Sequence, residues 1–375
     1  MGELFCGPGG MALGARRAAL ASGVNLQHIW ANDYDFDTCR TYRRNVLEPA
    51  YGDAAKLVTR SADAPAGAST IIHQNVHQLD IDALRPIDGF AFGFPCNDYS
   101  LVGEWKGLDG EFGPLYTYGV EVLATKRPQW FVAENVSGLR GANEGRAFRQ
   151  ILEHLEQPAR DLSYRLVPHL YSFDEYGVPQ RRRRIVIVGV RADLDVEFRV
   201  PAPTTNPDDV TVSSRYALSS PPLRSDAPNH EYVRQSKDVA ERLSYIRPGE
   251  NAFSPTALVR MPRRLHINTR ATLSQVYRRL DPDRPAYTVT GGGGGGTYVY
   301  HWDENRALTN RERARLQTFP DDFIFEGGLA SVRKQIGMAV PVRGAEQIFR
   351  ALFTAFRGED YPSIASNLMS EAVRD

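Results

Sequence analysis

Short apolar runs alternate with amphipathic stretches through the first half of the chain. Leu4-Phe5 closes a short strand, and Gly7-Pro8-Gly9-Gly10 follows as a turn. Residues 11–21, where Ala and Leu recur, predict a helix. Residues 28–31 predict a second strand, running out at Asn32-Asp33, and residues 36–46 a second helix. Strands are expected again at 89–94, closed by Pro95, and at 130–133, with helices at 116–125 and 143–155. Two further strands, 164–170 and 184–190, are joined by a loop. Repeated strand–helix alternation predicts an α/β doubly wound sheet of parallel strands with helices on both faces. Ligands of such sheets lie beyond the carboxyl ends of the strands.

The pattern changes near Pro201. Residues 201–230 are rich in Pro, Ser, Thr, Asp and Asn and hold no period, as at a domain boundary or a loop-rich insertion. Irregular, arginine-rich sequence continues to about residue 328. It is interrupted by six glycines, Gly291 to Gly296, which read as a tight backbone feature or as a short flexible linker. Residues 342–356 predict an amphipathic helix with Ile348, Leu352 and Phe356 on one stripe. No internal repeat is present.

A chain of 375 residues suits two or three domains at roughly 150 residues each. No apolar run approaches the ~18 residues of a membrane span, and strand-like sequence begins at once after Met1, so no secretory leader is expected. Cys6, Cys39 and Cys96 cannot build a disulfide framework and suit a reducing compartment. His73 and His77 stand four apart without further ligands nearby, as on a solvated face, so no metal is expected. Lys plus Arg and Asp plus Glu both total 45, so net charge announces no polyanion partner. The distribution does more: Arg181 to Arg184 are contiguous, and Arg260, Arg263, Arg264, Arg270, Arg278 and Arg279 occur between Ala252 and Leu280 without one acidic residue. Such a stretch fits a phosphate-tracking face and a solvated surface equally well.

Candidate chemistry gathers at predicted strand ends. Phe5-Cys6-Gly7-Pro8-Gly9-Gly10 would let backbone approach a cofactor and open a helix N-terminus, although it lacks the Gly-x-Gly-x-x-Gly dinucleotide fingerprint. Asp33 suits ribose hydroxyls or a helix cap, and Tyr34 suits stacking on adenine. Cys96, after Pro95, is a candidate nucleophile or a buried small hydrophobe; a glycine-punctuated loop follows it. Glu134 stands at the end of another strand. In an extended segment Gln180, Arg182 and Arg184 share one face, and Arg181 and Arg183 the other.

The order of these pieces is FCGPGG, FPCNDYS, AENV, QRRRR, RPAYTVTGG and KQIGMAV. Across nearly the whole chain it resembles the DNA (cytosine-5)-methyltransferase family of prokaryotic restriction-modification type. The resemblance implies a Rossmann-like, doubly wound domain for S-adenosyl-L-methionine (AdoMet, product S-adenosyl-L-homocysteine) over 1–195 and 332–375. A smaller, irregular target-recognition domain and hinge would occupy 196–331. Phe5, Gly7, Gly10, Asp33, Tyr34, Asn75, Gly93, Pro95, Leu115 and Ala339 match cofactor positions. Cys96, Glu134, Arg182 and Arg184 match catalytic ones. The implied partner is double-stranded DNA, acted on by a monomer in the cytoplasm at the nucleoid, with a restriction endonuclease as functional companion.

The implied reaction explains these residue types. A Cys96 thiolate adding to cytosine C6 makes C5 nucleophilic, while Glu134 at N3 and Arg184 at O2 offset ring charge. The base must first be flipped from the duplex, and the glycines of residues 97–113 would let that loop close. Four positions depart from the family pattern: Asn97 for Gln, Tyr99 for Phe, Asn75 for the adenine-contacting Asp, and Met338 for Asn in the last motif. Met338 implies weaker or backbone-mediated AdoMet anchoring. The tRNA-cytosine branch carries a Cys-Phe-Thr signature, and no cysteine follows Cys96 here. A catalytically inactive DNA-binding relative would be expected to have lost part of the Cys96, Glu134 and arginine set.

Overall fold

The computed structural model describes residues 1–94, 115–267, 275–293 and 296–368. Pro95, Cys96, the loop 97–113, Arg270, Gly294 and Gly295 lie outside them. The chain divides into two compact units, Met1–Ser172 with Arg183–Ala202 and Gly344–Asp375, and Phe173–Arg182 with Pro203–Arg343. The segment Phe173–Arg182 and residues 332–343 therefore pack with the second unit, where the sequence suggested the first.

In chain order the first unit carries β1 (Gly2–Leu4), α1 (Gly10–Ala21), β2 (Trp30–Asp33), α2 (Phe36–Tyr42), α3 (Glu48–Tyr51), β3 (Ala55–Val58), β4 (Ser69–His73), β5 (Gly89–Gly93), α4 (Tyr116–Lys126), β6 (Trp130–Val136), α5 (Arg146–Glu156) and β7 (Tyr164–Ser172). After β8 (Gln180–Arg181) come β9 (Arg183–Arg191) and β10 (Val200–Pro201). An eight-stranded sheet runs β3-β4-β2-β1-β5-β6-β9-β7. The first six strands are parallel, while β9 pairs antiparallel with both β6 and β7. The strand–helix alternation gives the parallel part of the sheet; β9 runs antiparallel because a loop joins β7 to β8 and β9 without a crossover helix, which permits only antiparallel return. The edge strand β3 was not anticipated; its four residues carry too short a pattern. The second helix also ends earlier than expected, passing at Arg43–Leu47 into a π-helical turn before α3.

Strand alternation places successive side chains on opposite faces, and both faces are covered. Trp30, Ile72, Phe90, Phe92 and Phe131 pack with Val122, Leu123, Ile151 and Leu155 of α4 and α5. Their strand neighbours Ala31 and Ile71 pack with Ala12, Cys39, Tyr42 and Val46 on the other side. Each such aromatic or aliphatic side chain contributes about 1.5–3 kcal/mol on burial. The Trp130 indole lies across Gly89, where a Cβ would fall 2.0 Å from the ring. Trp130 also packs edge-on against Phe349 and Phe353 of the C-terminal helix, Val342–Phe356.

The second unit holds α6 (Ser214–Ser219), α7 (Lys237–Ser244), α8 (Pro255–Arg260), β11 (Ala286–Tyr287), α9 (Asn310–Leu316) and α10 (Leu329–Met338); the long helix just described is α11, and β12 (Ser363–Ile364) pairs with β10 in the first unit. Little of its backbone lies in ladders, so many carbonyls need other donors. Buried arginines supply them. Arg279 donates to the carbonyls of Leu243, His301 and Glu304, and Arg311 to those of Pro228, Pro320 and Phe323. One guanidinium has five N–H groups and can tie several loops at once. Burial pulls Arg311 down to about 10, still charged at neutral pH. The glycine run is close-packed where described: a Cβ on Gly337 of α10 would lie 1.9 Å from the Gly291 nitrogen.

Candidate active site

The glycine turn after β1 is fixed from below. Phe5 takes a left-handed conformation (φ 51°). The Cys6 N–H donates to the Asn32 carbonyl (3.1 Å), and the Gly7 N–H donates to Asp33 Oδ2 (3.0 Å). Gly9 (φ 97°) leaves no room for a Cβ, which would meet Val46 Cγ2 at 2.6 Å. Gly10 then opens α1.

Asp33 ends β2, and its second oxygen accepts the Asp35 N–H (3.0 Å). The cap of α2 is Asp35, which accepts the Thr38 N–H (2.9 Å), so capping does not occupy Asp33. Burial pushes the Asp33 carboxyl up to about 6, against the pull of those two N–H donors. Next to it Tyr34 is 59% exposed. Asn75 follows β4, exposed, with Oδ1 accepting the His77 N–H (3.1 Å). His73 and His77 have separate partners: the Tyr34 carbonyl (3.1 Å) and the Tyr118 hydroxyl (2.8 Å).

On the next strands a carboxylate and an arginine meet. Gly93 stands opposite Glu134 in the β5–β6 register, and a Cβ on Gly93 would lie 3.2 Å from Glu134 Oε2. Antiparallel pairing sets Val136 opposite Arg184, so Glu134 and Arg184 are diagonal neighbours on one face. Arg184 Nε lies 2.8 Å from Glu134 Oε1, with the two side chains 14% and 12% exposed. The sequence placed them in separate motifs; the strand register makes them a pair. Leu115 is buried at the start of α4.

Arg182 has a different environment from the one expected. The chain turns there, with the Arg182 N–H bonded to the Gln180 carbonyl (2.9 Å), which separates β8 from β9. Its side chain is 2% exposed and donates to the carbonyls of Val289 (3.2 Å) and Gly337 (3.1 Å) in the second unit. These bonds tie the Arg182 side chain to the backbone of the second unit. Ala339 is the buried C-cap of α10 in that same unit, and Met338 beside it is 48% exposed.

Two buried polar groups had no sequence motif. Asn32 donates to the carbonyls of Ile72 (2.9 Å) and Gln74 (2.8 Å), holding the ends of β2 and β4 together. Its signal was a lone amide in an apolar strand. Glu3 in β1 accepts the Tyr42 hydroxyl (2.9 Å), and burial pushes its carboxyl up to about 8. Cys6 and Cys39 are buried, with thiols raised by burial, so neither is an activated nucleophile.

A doubly wound sheet with a glycine turn, an acid and a glycine-flanked glutamate at the carboxyl ends of its central strands defines an α/β methyltransferase architecture. The same fold occurs in a putative DNA modification methyltransferase encoded within an E. coli prophage, with a TM-score of 0.68, 22% identity and coverage of 95% of this chain and 99% of that one. The chain belongs to the C-5 cytosine-specific DNA methylase family, whose model matches residues 1–354. It is 50% identical to type II methyltransferase M.BbvI of Brevibacillus brevis, over 99% of this chain and 95% of that protein. It is 35% identical to type II methyltransferase M.NgoFVII of Neisseria gonorrhoeae, over 94% and 86%. The protein is therefore a DNA (cytosine-5-)-methyltransferase, of an AdoMet-dependent family. No helix among the described residues is long and apolar enough to cross a membrane.

Proposed function

We propose that this enzyme methylates C5 of a cytosine flipped out of double-stranded DNA, through a transient bond from Cys96, and that it shields host DNA from a companion restriction endonuclease. The observation that carries the chemistry is the Glu134–Arg184 pair beside Gly93, at the end of the strand that precedes Cys96 by three residues. The type II relatives support the protective role. The first unit is the catalytic one in this reading, and the second reads the target.

The cofactor positions fit an adenosine-bearing ligand. Asp33 is a half-buried carboxylate with lone pairs left for ribose hydroxyls, Tyr34 offers an exposed ring, and Gly93 keeps Cβ volume out of the mouth. Phe5, Gly7, Gly10, Asn75, Pro95 and Leu115 complete the set by which the first unit would hold AdoMet. When bound, AdoMet supplies an electrophilic methyl group to C5.

The protein's own groups do the rest. The Cys96 thiolate forms a bond to C6, which transfers electron density to C5. A proton shared between the Glu134 carboxyl and N3 would offset charge on the ring; Arg184 Nε holds Glu134 in place, one further Arg184 N–H donates to the Arg183 carbonyl (2.8 Å), and the remaining donors would serve O2. Hydrogen bonds to charged groups contribute about 1.5–3 kcal/mol each, enough to offset the few kcal/mol that unstacking a base costs. After C5 gains its methyl group, a base takes the C5 proton and the electron pair expels the Cys96 thiolate. Incubation with methyl-labelled AdoMet and either duplex DNA or tRNA tests the reading. Label is expected in duplex DNA as 5-methylcytosine. Label in tRNA, or as an exocyclic methylamine, would overturn it.

A further inference from the structure

We propose that a cleft of about 370 Å³ in the second unit, lined by Arg181, Arg278, Arg284, Tyr287 and Thr288, clamps a phosphodiester of the DNA backbone. The proposal rests on duplex DNA being the substrate. The structure divides the arginine-rich stretch that sequence alone left undecided. Arg260 is paired with Glu250 and Arg264 with Glu241, acids that lie outside the stretch. Arg279 is buried on carbonyls. Arg278 is different: among the described residues it has no carboxylate partner, and its guanidinium lies 4.9 Å over the Tyr287 ring. A guanidinium held on an aromatic ring keeps N–H donors for other partners, and its planar fork suits two phosphate oxygens.

Its neighbours have carboxylate partners. Arg181 is 3.5 Å from Asp174 and Arg284 is 3.5 Å from Asp208, with both arginines more than half exposed. The Arg284–Asp208 pair, exposed on both sides, is worth little in solvent and exchanges readily for a better anion, whereas Arg181 has the buried Asp174 as its partner. Asp281 also lines the cleft, with Oδ1 taking the Asp283 N–H (3.1 Å). The frame beneath the cations is set in advance. Tyr287 pairs with Arg181 across β8 and β11, the Thr288 hydroxyl donates to the Arg181 carbonyl (2.9 Å), and the Tyr287 hydroxyl donates to the Arg278 carbonyl (2.8 Å). Three cations on a fixed frame confer affinity that does not depend on base sequence.

The test is the salt dependence of duplex binding by the full-length enzyme, measured by anisotropy on several unrelated duplexes. Arg278→Ala is expected to weaken all of them by the same factor and to lower the slope of log K against log salt by about 0.9, one phosphate contact. AdoMet affinity should not change. Arg284→Gln, at an exposed position, gives the same reading should Arg278→Ala fail to fold. An unchanged slope in both variants, or loss confined to one duplex sequence, overturns the clamp. Calorimetry with inorganic phosphate separates the two sources of the anion. Phosphate binding that Arg278→Ala abolishes, with the duplex slope intact, assigns the cleft to a free anion and also overturns the proposal. A wild-type enzyme without duplex affinity would bring down the DNA reading as well, an outcome distinct from a wild type that binds with a slope the variants share.

Discussion

Asp33 and Glu3 show how burial tunes single groups beneath the glycine turn. Asp33 titrates near 6, so its charged form, the better acceptor for ribose hydroxyls, is lost as pH falls through that value. AdoMet affinity should drop by about ten-fold between pH 7.5 and 5, the scale of a hydrogen bond to a charge, and Asp33→Asn should flatten the profile; a wild-type profile already flat in equilibrium titration would contradict this. Glu3 carries the opposite sense for stability. Its carboxyl is raised to about 8, so its proton favours the folded chain. That contribution is full below the ordinary value of 4.5 and fades as pH climbs through 8. Glu3→Gln, always neutral, should match the wild type at pH 4.5 and exceed it by a few kcal/mol at pH 9 in urea unfolding. On the family resemblance, in which Asn is usual where Met338 stands, Met338→Asn should tighten AdoMet binding in equilibrium titration; unchanged affinity would count against that reading. The motif residues were legible because their order along the chain is distinctive. Glu3 and Asn32 were not, because one polar residue in a short strand has no partner visible in sequence.

Between elements, close approach decides what periodicity cannot. The helices α1 and α4 and the strands β5 and β6 follow from apolar spacing, since each buries a full stripe. The edge strand β3 and the direction of β9 are not legible, because neither strand direction nor an edge position leaves a local pattern. The second unit was legible only as irregular: its arginines look like surface in sequence, and only the loop carbonyls they meet show Arg279 and Arg311 to be interior. Of the two readings of the glycine run, the described part supports tight packing. Gly337→Ala should therefore destabilise by about 1–3 kcal/mol through overpacking against Gly291. Gly292→Ala, whose Cβ would meet nothing closer than Thr290 Oγ1 at 3.9 Å, should be nearly neutral in the same thermal melts. Equal effects of the two substitutions would remove the distinction.

At the scale of the molecule, net charge is zero, so affinity for a polyanion must come from where unpaired cations sit rather than from their number. Arg184, Arg260, Arg264, Arg306 and Arg315 all face carboxylates. The proposed division of tasks between the two units predicts separable protection in hydrogen exchange. AdoMet should slow exchange after β1 and β2, and duplex DNA should slow it around Arg278 and Tyr287; a duplex that leaves exchange around Arg278 and Tyr287 unchanged would contradict the division. The account as a whole stands on a covalent bond between Cys96 and cytosine. Plasmid DNA amplified with 5-fluorodeoxycytidine triphosphate places a fluorine where the C5 proton must leave, so the final elimination cannot occur. With AdoMet present, the wild-type enzyme should form a denaturant-resistant adduct with this DNA, its mass increased by the methylated nucleotide at a Cys96 peptide, and Cys96→Ala should form none. An adduct-free wild type, or an adduct that persists in Cys96→Ala, would contradict the central claim.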